Sequence, residues 1–262
     1  MNPRAADAAD GLPADRALRE RLAEALGQVG APASAAVSGV PMPSRRNHVF
    51  RAALPDGRGV TVKLFRYPDA HREFEVLSRL RGAGVDAPAP LAFGEDWLVC
   101  ELVDGPTLMD LVNEGERDHL LADGLPRWLA VFHRAMADGP HRRVKGDCNL
   151  RNFRAVPEGG VVGVDFDGCA YGESAEDVAQ ACASLLASHP PFTPHKLSLS
   201  RLLVAAYREA SGDAVDGVDA LCARGLIELS KWRPRDREWL WRWAIQVEVW
   251  GLDDLAQQAL RG

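Results

Sequence analysis

The stretch Arg143-Val-Lys-Gly-Asp-Cys-Asn-Leu-Arg-Asn-Phe153 decides how the rest of this chain is read. It places an acid, Asp147, five residues before an amide, Asn152. Asp165-Phe-Asp167 begins twelve residues after Phe153, behind the apolar run Val161-Val-Gly-Val164, which reads as a short strand. A carboxylate in such a loop can orient a hydroxyl nucleophile and accept its proton. An amide oxygen and a strand-terminal carboxylate are hard ligands, suited to magnesium held against a nucleotide's phosphates. Asp-x-x-x-x-Asn alone arises by chance in many proteins. The whole ordered set, preceded by a helix and followed by a strand-terminal Asp-Phe-Asp, is much harder to obtain by accident.

Bulk properties bound the rest. With 262 residues, 47% apolar residues and 26% charged ones, the chain can bury a sizeable core as one large domain or two lobes. The net charge is −6 and the basic residues are scattered, which argues against a nucleic-acid partner. Cys100, Cys148, Cys169, Cys182 and Cys222 are odd in number and lack Cys-x-x-Cys spacing, as expected of reduced thiols. The N-terminus carries acids and no apolar signal core, and no run of about 18 apolar residues occurs. The expectation is a soluble cytoplasmic protein without a membrane span.

Working outward, residues 1–12 read as an Ala/Asp tail, and Leu18, Leu22, Ala25, Leu26 and Val29 as a short amphipathic helix ahead of the main fold. Strands are expected at 35–40, 48–54 and 60–65, the last two joined by the hairpin signal Pro55-Asp-Gly-Arg-Gly59. A helix at 69–81 and strands at 91–93 and 97–102 complete a β-rich half. Helices follow at 107–114 and about 117–137, then a hairpin of 153–156 with 161–164, then helices from Ser174 onward, broken by Pro190-Pro191, Pro194 and Pro234.

Lys63 ends the strand pattern Val60-Thr-Val-Lys63, and two acids on the following helix could pair with it. At about 100° per residue, Phe74, Val76, Leu77 and Leu80 define an apolar face with Glu73 near its centre. Glu75 falls on the opposite side, beside His71, Ser78 and Arg79. A carboxylate centred on a buried face needs a partner, so Glu73 is expected to hold Lys63.

Together these residues resemble the protein-kinase-like superfamily, nearest its aminoglycoside-phosphotransferase and lipopolysaccharide-kinase branch, over about residues 36–190. The resemblance implies an α+β, two-lobed fold: a tail and short helix (1–30), a small antiparallel sheet lobe (31–103) and a larger helical lobe (104–262). It implies ATP and Mg2+, with the γ-phosphate passing to a hydroxyl of a small-molecule or glycan acceptor. Asp147 would be the catalytic base, Asn152 and Asp165 the magnesium ligands, and Lys63 the phosphate contact. The Glu101 carbonyl and the Val103 amide would hold adenine, with Cys100 behind them. Asp177 would brace the catalytic loop through backbone hydrogen bonds. His133 resembles a helix histidine of the phosphotransferases and reads as a satisfied core residue rather than a proton donor.

The departures shape the function. Ser38-Gly-Val-Pro-Met-Pro-Ser-Arg-Arg-Asn47 has one glycine and two prolines, so it is no flexible Gly-x-Gly-x-x-Gly cover. Arg45 and Arg46 either reach the phosphates by side chain or are solvated loop residues. Lys145 replaces the usual histidine and Asn149 the lysine of protein kinases, Asp-Phe-Asp replaces Asp-Phe-Gly, and no Ala-Pro-Glu follows. These features weigh against a protein kinase with a phosphorylated activation loop. The rival readings are an atypical Ser/Thr protein kinase and a nucleotide-binding pseudokinase scaffold. Acceptor choice is expected within 190–250, where Lys231-Trp-Arg-Pro-Arg-Asp-Arg237 is either a hold for an anionic acceptor or a solvated basic turn. Trp239, Trp243 and Trp250 follow helical spacing, which reads as core packing.

Overall fold

The computed structural model describes residues 15–32, 37–42, 47–139, 141–157 and 159–261. The chain divides into two compact units: Met1–Arg81 with Pro88–Val103, and Gly82–Ala87 with Asp104–Gly262.

The first unit is a sheet with two helices. Strands β1 (Val37–Met42), β2 (His48–Ala53), β3 (Gly59–Leu64), β4 (Pro90–Phe93) and β5 (Trp97–Glu101) lie in the order β1-β2-β3-β5-β4. Every pairing is antiparallel. The hairpin between β2 and β3 closes where Leu54 donates to the Arg58 carbonyl at 2.8 Å, and Gly57 takes the positive φ of 86° that the turn requires. Helix α1 (Arg16–Gln28) starts at Asp15, whose carboxylate accepts from the Ala17 and Leu18 amides. The sequence sets this helix apart from the sheet, but the structure places Leu22, Ala25 and Leu26 in one core with Phe50, Val60, Val62, Leu64 and Val99. Each large apolar side chain buried there contributes about 1.5–3 kcal/mol. Arg21 adds a polar clamp, donating to the carbonyls of Phe65 at 2.6 Å and Asp96 at 2.9 Å. Helix α2 (Ala70–Gly82) turns Glu73, Val76, Leu77 and Leu80 inward and leaves Glu75 exposed beside His71.

The second unit is mainly helical. Thr107 and Asp110 form a reciprocal capping box for α3 (Leu108–Glu114), which ends at Gly115 in the left-handed region. The helix expected over 117–137 is divided: a π-type turn, Leu120–Gly124, leads into α4 (Leu125–Ala135). Trp128 of α4 is the hub of an aromatic core, stacked on Phe132 and edge-on to Phe153. It also explains Gly163, because a Cβ there would lie 2.4 Å from the Trp128 ring. Short strands β6 (Ala137–Asp138), β7 (His141–Val144) and β10 (Ala170–Tyr171) form a sheet in the order β10-β7-β6, and β8 (Phe153–Ala155) pairs with β9 (Val161–Gly163). Helices α5 (Ser174–Leu186), α6 (Pro194–Ser211), α7 (Val218–Trp232) and α8 (Arg237–Ala259) follow. Helix α8 breaks at Gly251, and Asp219 accepts from the Leu252 amide, capping the restart at 3.1 Å. Trp239 and Trp243 pack around Phe192 as the spacing predicts, but Trp250 is 54% exposed, so that expectation fails one residue before the break. Among the described residues no helix is long and apolar enough to cross a membrane.

Candidate active site

In the first unit Lys63 and Glu73 meet as the helical geometry requires. Lys63 Nζ lies 2.7 Å from Glu73 Oε2, and the side chains are 8% and 5% exposed. The ammonium also sits 5.1 Å from the centre of the Phe65 ring. Antiparallel pairing of β3 with β5 sets Lys63 opposite Leu98 and Val60 opposite Glu101. At the end of β5 the backbone is tightly held: the Glu101 amide donates to the Ala89 carbonyl and the Leu102 amide to that of Gly59. The Cys100 thiol is buried beside this pair, and desolvation with the Glu73 charge pushes it up to about 12. It is therefore an apolar wall rather than a nucleophile. Arg45 and Arg46 lie outside the described residues.

In the second unit β7 delivers the chain into the loop carrying Asp147. Gly146 there has φ 78°, and a Cβ would lie 2.2 Å from the Gly168 carbonyl oxygen, so only glycine fits against the Asp165–Gly168 segment. Asp147 is exposed, and its Oδ1 accepts from the Asn149 amide at 3.2 Å. Asn149 caps the following 3-10 turn, Leu150–Asn152, by accepting from Arg151. Asn152 donates its side-chain amide to the Asp147 carbonyl at 3.3 Å, and its own carbonyl accepts from Val164 at 2.9 Å. The loop bearing Asp147 and Asn152 is thus stitched to the strand that delivers Asp165. Asp165 has φ 63°, a left-handed conformation costing a non-glycine residue about 1–2 kcal/mol.

Two supports hold this geometry. The first is Asp177, whose carboxylate accepts from the amides of Lys145 at 2.6 Å and Gly146 at 2.9 Å, and bonds His133 Nε2 at 2.9 Å. His133 Nδ1 in turn reaches the Tyr207 hydroxyl at 2.8 Å, so this histidine is fully engaged in the core. Burial raises the Asp177 carboxyl, but His133 and the two amides outweigh it and hold it below the ordinary 3.8. Gln180 and Ser184 extend the same brace, accepting from the amides of Cys148 at 3.0 Å and Leu150 at 3.1 Å. Sequence reasoning missed these two. Their signal was the polar spacing 177, 180, 184 on an alanine-rich helix, which places all three on one face.

The second support is Lys145, fully buried, which donates to the carbonyls of Asp147 at 2.9 Å and Asp165 at 2.7 Å. Its ammonium lies 5.4 Å and 5.1 Å from the ring centres of Phe153 and Phe166. The sequence marks Lys145 as a departure and gives it no role; here it fastens the Asp147 and Asp165 segments together.

Among the described residues no cluster of three or more His, Cys, Asp or Glu side chains could hold a metal alone. Asn152 and Asp165 offer one amide and one carboxylate. That donor set fits magnesium, which keeps waters and takes phosphate oxygens rather than a closed protein cage.

No model of a known family matches the sequence, and no curated relative does. Solved structures do match. An amicoumacin kinase in complex with AMP-PNP, Ca2+ and Ami superimposes with a TM-score of 0.60 at 13% identity, over 81% of this chain and 87% of that one. A Plasmodium vivax ethanolamine kinase gives 0.57 at 9% identity, over 85% and 80%. A thermostable mutant of aminoglycoside phosphotransferase APH(4)-Ia gives 0.55 at 14% identity, over 92% and 98%. At such identities the likeness establishes the fold, and both units take part in it. The chain has the two-lobed, kinase-like α+β fold that these solved structures share.

Proposed function

We propose that this protein is an ATP-dependent phosphotransferase that acts on a hydroxyl of a small molecule. The observation that carries the reading is the construction around Lys145: one buried ammonium fixes the backbones of both Asp147 and Asp165, while Asp147 itself stays exposed. Such rigidity serves a reaction in which the protein mainly positions groups and neutralises charge.

In this reading Asp147 orients the acceptor hydroxyl and takes its proton as the acceptor oxygen bonds to the γ-phosphorus. The bond to the bridging oxygen breaks, and ADP leaves with that electron pair. Asn149 holds Asp147 Oδ1 in place. Lys63, fixed by Glu73, contacts the phosphates, and the Glu101 carbonyl and Val103 amide meet adenine. Asn152 and Asp165 would hold Mg2+, which when bound supplies charge neutralisation at the phosphates. The named neighbours that act on small molecules, the amicoumacin and ethanolamine kinases, support this acceptor class. Five buried, free cysteines support a reducing, cytoplasmic setting.

Thermal denaturation tests the nucleotide site. Mg-ATP at about 100 times its dissociation constant should add roughly 2.7 kcal/mol by mass action, and ATP without metal should add less. No shift with millimolar ATP or GTP, with or without magnesium, would remove the proposal.

A further inference from the structure

A groove of about 410 Å³ opens within the second unit, lined by Asn113, Arg151, His189, Arg233, Asp236 and Trp239 among others. Its volume lies inside the roughly 300–1,000 Å³ of small-molecule sites. It shares a wall with the catalytic loop, because Arg151 lies four residues beyond Asp147, on the same 3-10 turn as Asn152. We infer that this groove seats the acceptor, and that the acceptor is a hydroxyl-bearing ring compound carrying a carboxylate or phosphate.

This rests on the phosphotransferase reading and deepens it. Two guanidiniums line the groove against one carboxylate, Asp236. Arg233 is half-buried and anchored by its donation to the Ala187 carbonyl at 2.6 Å, so its fork is held rather than waving in solvent. Arg151 has Asp110 as an acidic neighbour, one oxygen of which, Oδ2, accepts from the Thr107 hydroxyl at 2.6 Å and amide at 3.1 Å. Guanidiniums match planar oxyanions bidentately. Trp239 supplies an apolar wall for a ring face, set by edge contact with Phe192 at 5.0 Å, whose other contact is a stacked Trp243 at 4.2 Å. Of the basic residues at the turn before α8, Arg233 alone lines the groove; Arg235 and Arg237 are exposed.

The experiment is a panel of matched sugars with labelled ATP and magnesium: methyl glucoside, glucosamine, glucuronate and glucose 1-phosphate, alongside a separate Mg-ATP binding titration. At least one anionic sugar should show kcat/KM roughly ten-fold or more above methyl glucoside, and which of the two leads tells carboxylate from phosphate. Arg151→Ala with Arg233→Ala should erase that preference without changing Mg-ATP binding. Asp236→Asn, at an exposed position where folding is not at stake, should raise kcat/KM for the anion roughly three-fold. A kcat/KM for glucosamine or methyl glucoside equal to or above that of the anions, use of none of the four, or an undiminished preference in the double variant, would overturn the inference while Mg-ATP binding keeps the phosphotransferase reading. Failure to bind Mg-ATP would remove the reading and this inference with it.

Discussion

Two of the buried lysines, one in each unit, are held in contrasting ways. Lys63 is held by a carboxylate, Glu73, across a short distance between a strand and the next helix. Lys145 is held by two main-chain carbonyls and two aromatic faces, gathered from segments up to 21 residues away. An ion pair between side chains adjusts: either partner can be exchanged for something neutral if both are. A lysine coordinated by backbone has no such complement, because the carbonyls remain whatever replaces it. The first arrangement suits a group whose charge is presented to a ligand, the second a fastener that sets where two loops lie.

The largest effect is expected at Lys63. Lys63→Met removes the ammonium 2.7 Å from the buried Glu73 carboxylate and should cost about 3–5 kcal/mol in urea denaturation. Adding Glu73→Leu should recover most of that loss, because an apolar pair replaces an ionic one at little net cost. If the double variant is as unstable as the single one, the pair is not the unit described here.

Lys145→Met should cost less, about 2–3 kcal/mol, from two buried carbonyls left short of a donor. No second substitution at an acid should rescue it. Recovery through an acidic partner would erase the distinction between the two lysines.

A smaller, pH-dependent effect belongs to Asp177. Its carboxyl is held below 3.8 in the folded protein, so its contribution is fully present above 3.8 and disappears as pH falls through the lowered folded value. Asp177→Asn should therefore be about 1–2 kcal/mol less stable than the parent at pH 7, with the gap narrowing in acid. A gap that is constant from pH 7 to pH 2 would contradict the bracing role.

The same contrast explains what could be read in advance. Glu73 was found because helical phase is local arithmetic: thirteen residues of α2 suffice to say which acid faces inward. The hairpin carrying Gly163 and the positions of the larger strands along the chain followed from equally local patterns. Lys145 was visible only as an odd residue, since its partners are carbonyls, which every residue carries and no side-chain pattern marks. Strands β6, β7 and β10, of two to four residues, are too short for alternation to show. Helix α1 displayed its apolar face but not the sheet it would meet. Trp239 and Trp243 were placed correctly by phase, while Trp250 shows that phase says which face a residue shares and not how far a neighbouring element covers it. The phosphate-facing roles of Arg45 and Arg46 stay as the sequence left them, a proposal resting on a loop poor in glycine.

In the proposed reaction Asp147 and Asp165, whose main-chain carbonyls both accept from Lys145, have different work: one handles the hydroxyl, the other the metal. Titrating Mg-ATP into Asp147→Asn and Asp165→Asn, with the same titrations in the absence of magnesium, tests it without knowledge of the acceptor. Asp147→Asn should bind Mg-ATP within a few-fold of the parent and keep the full benefit of the metal. Asp165→Asn should lose most of the affinity that magnesium adds, while binding metal-free ATP as the parent does. If Asp165→Asn keeps the magnesium-dependent gain, or Asp147→Asn loses it, the assignment is contradicted.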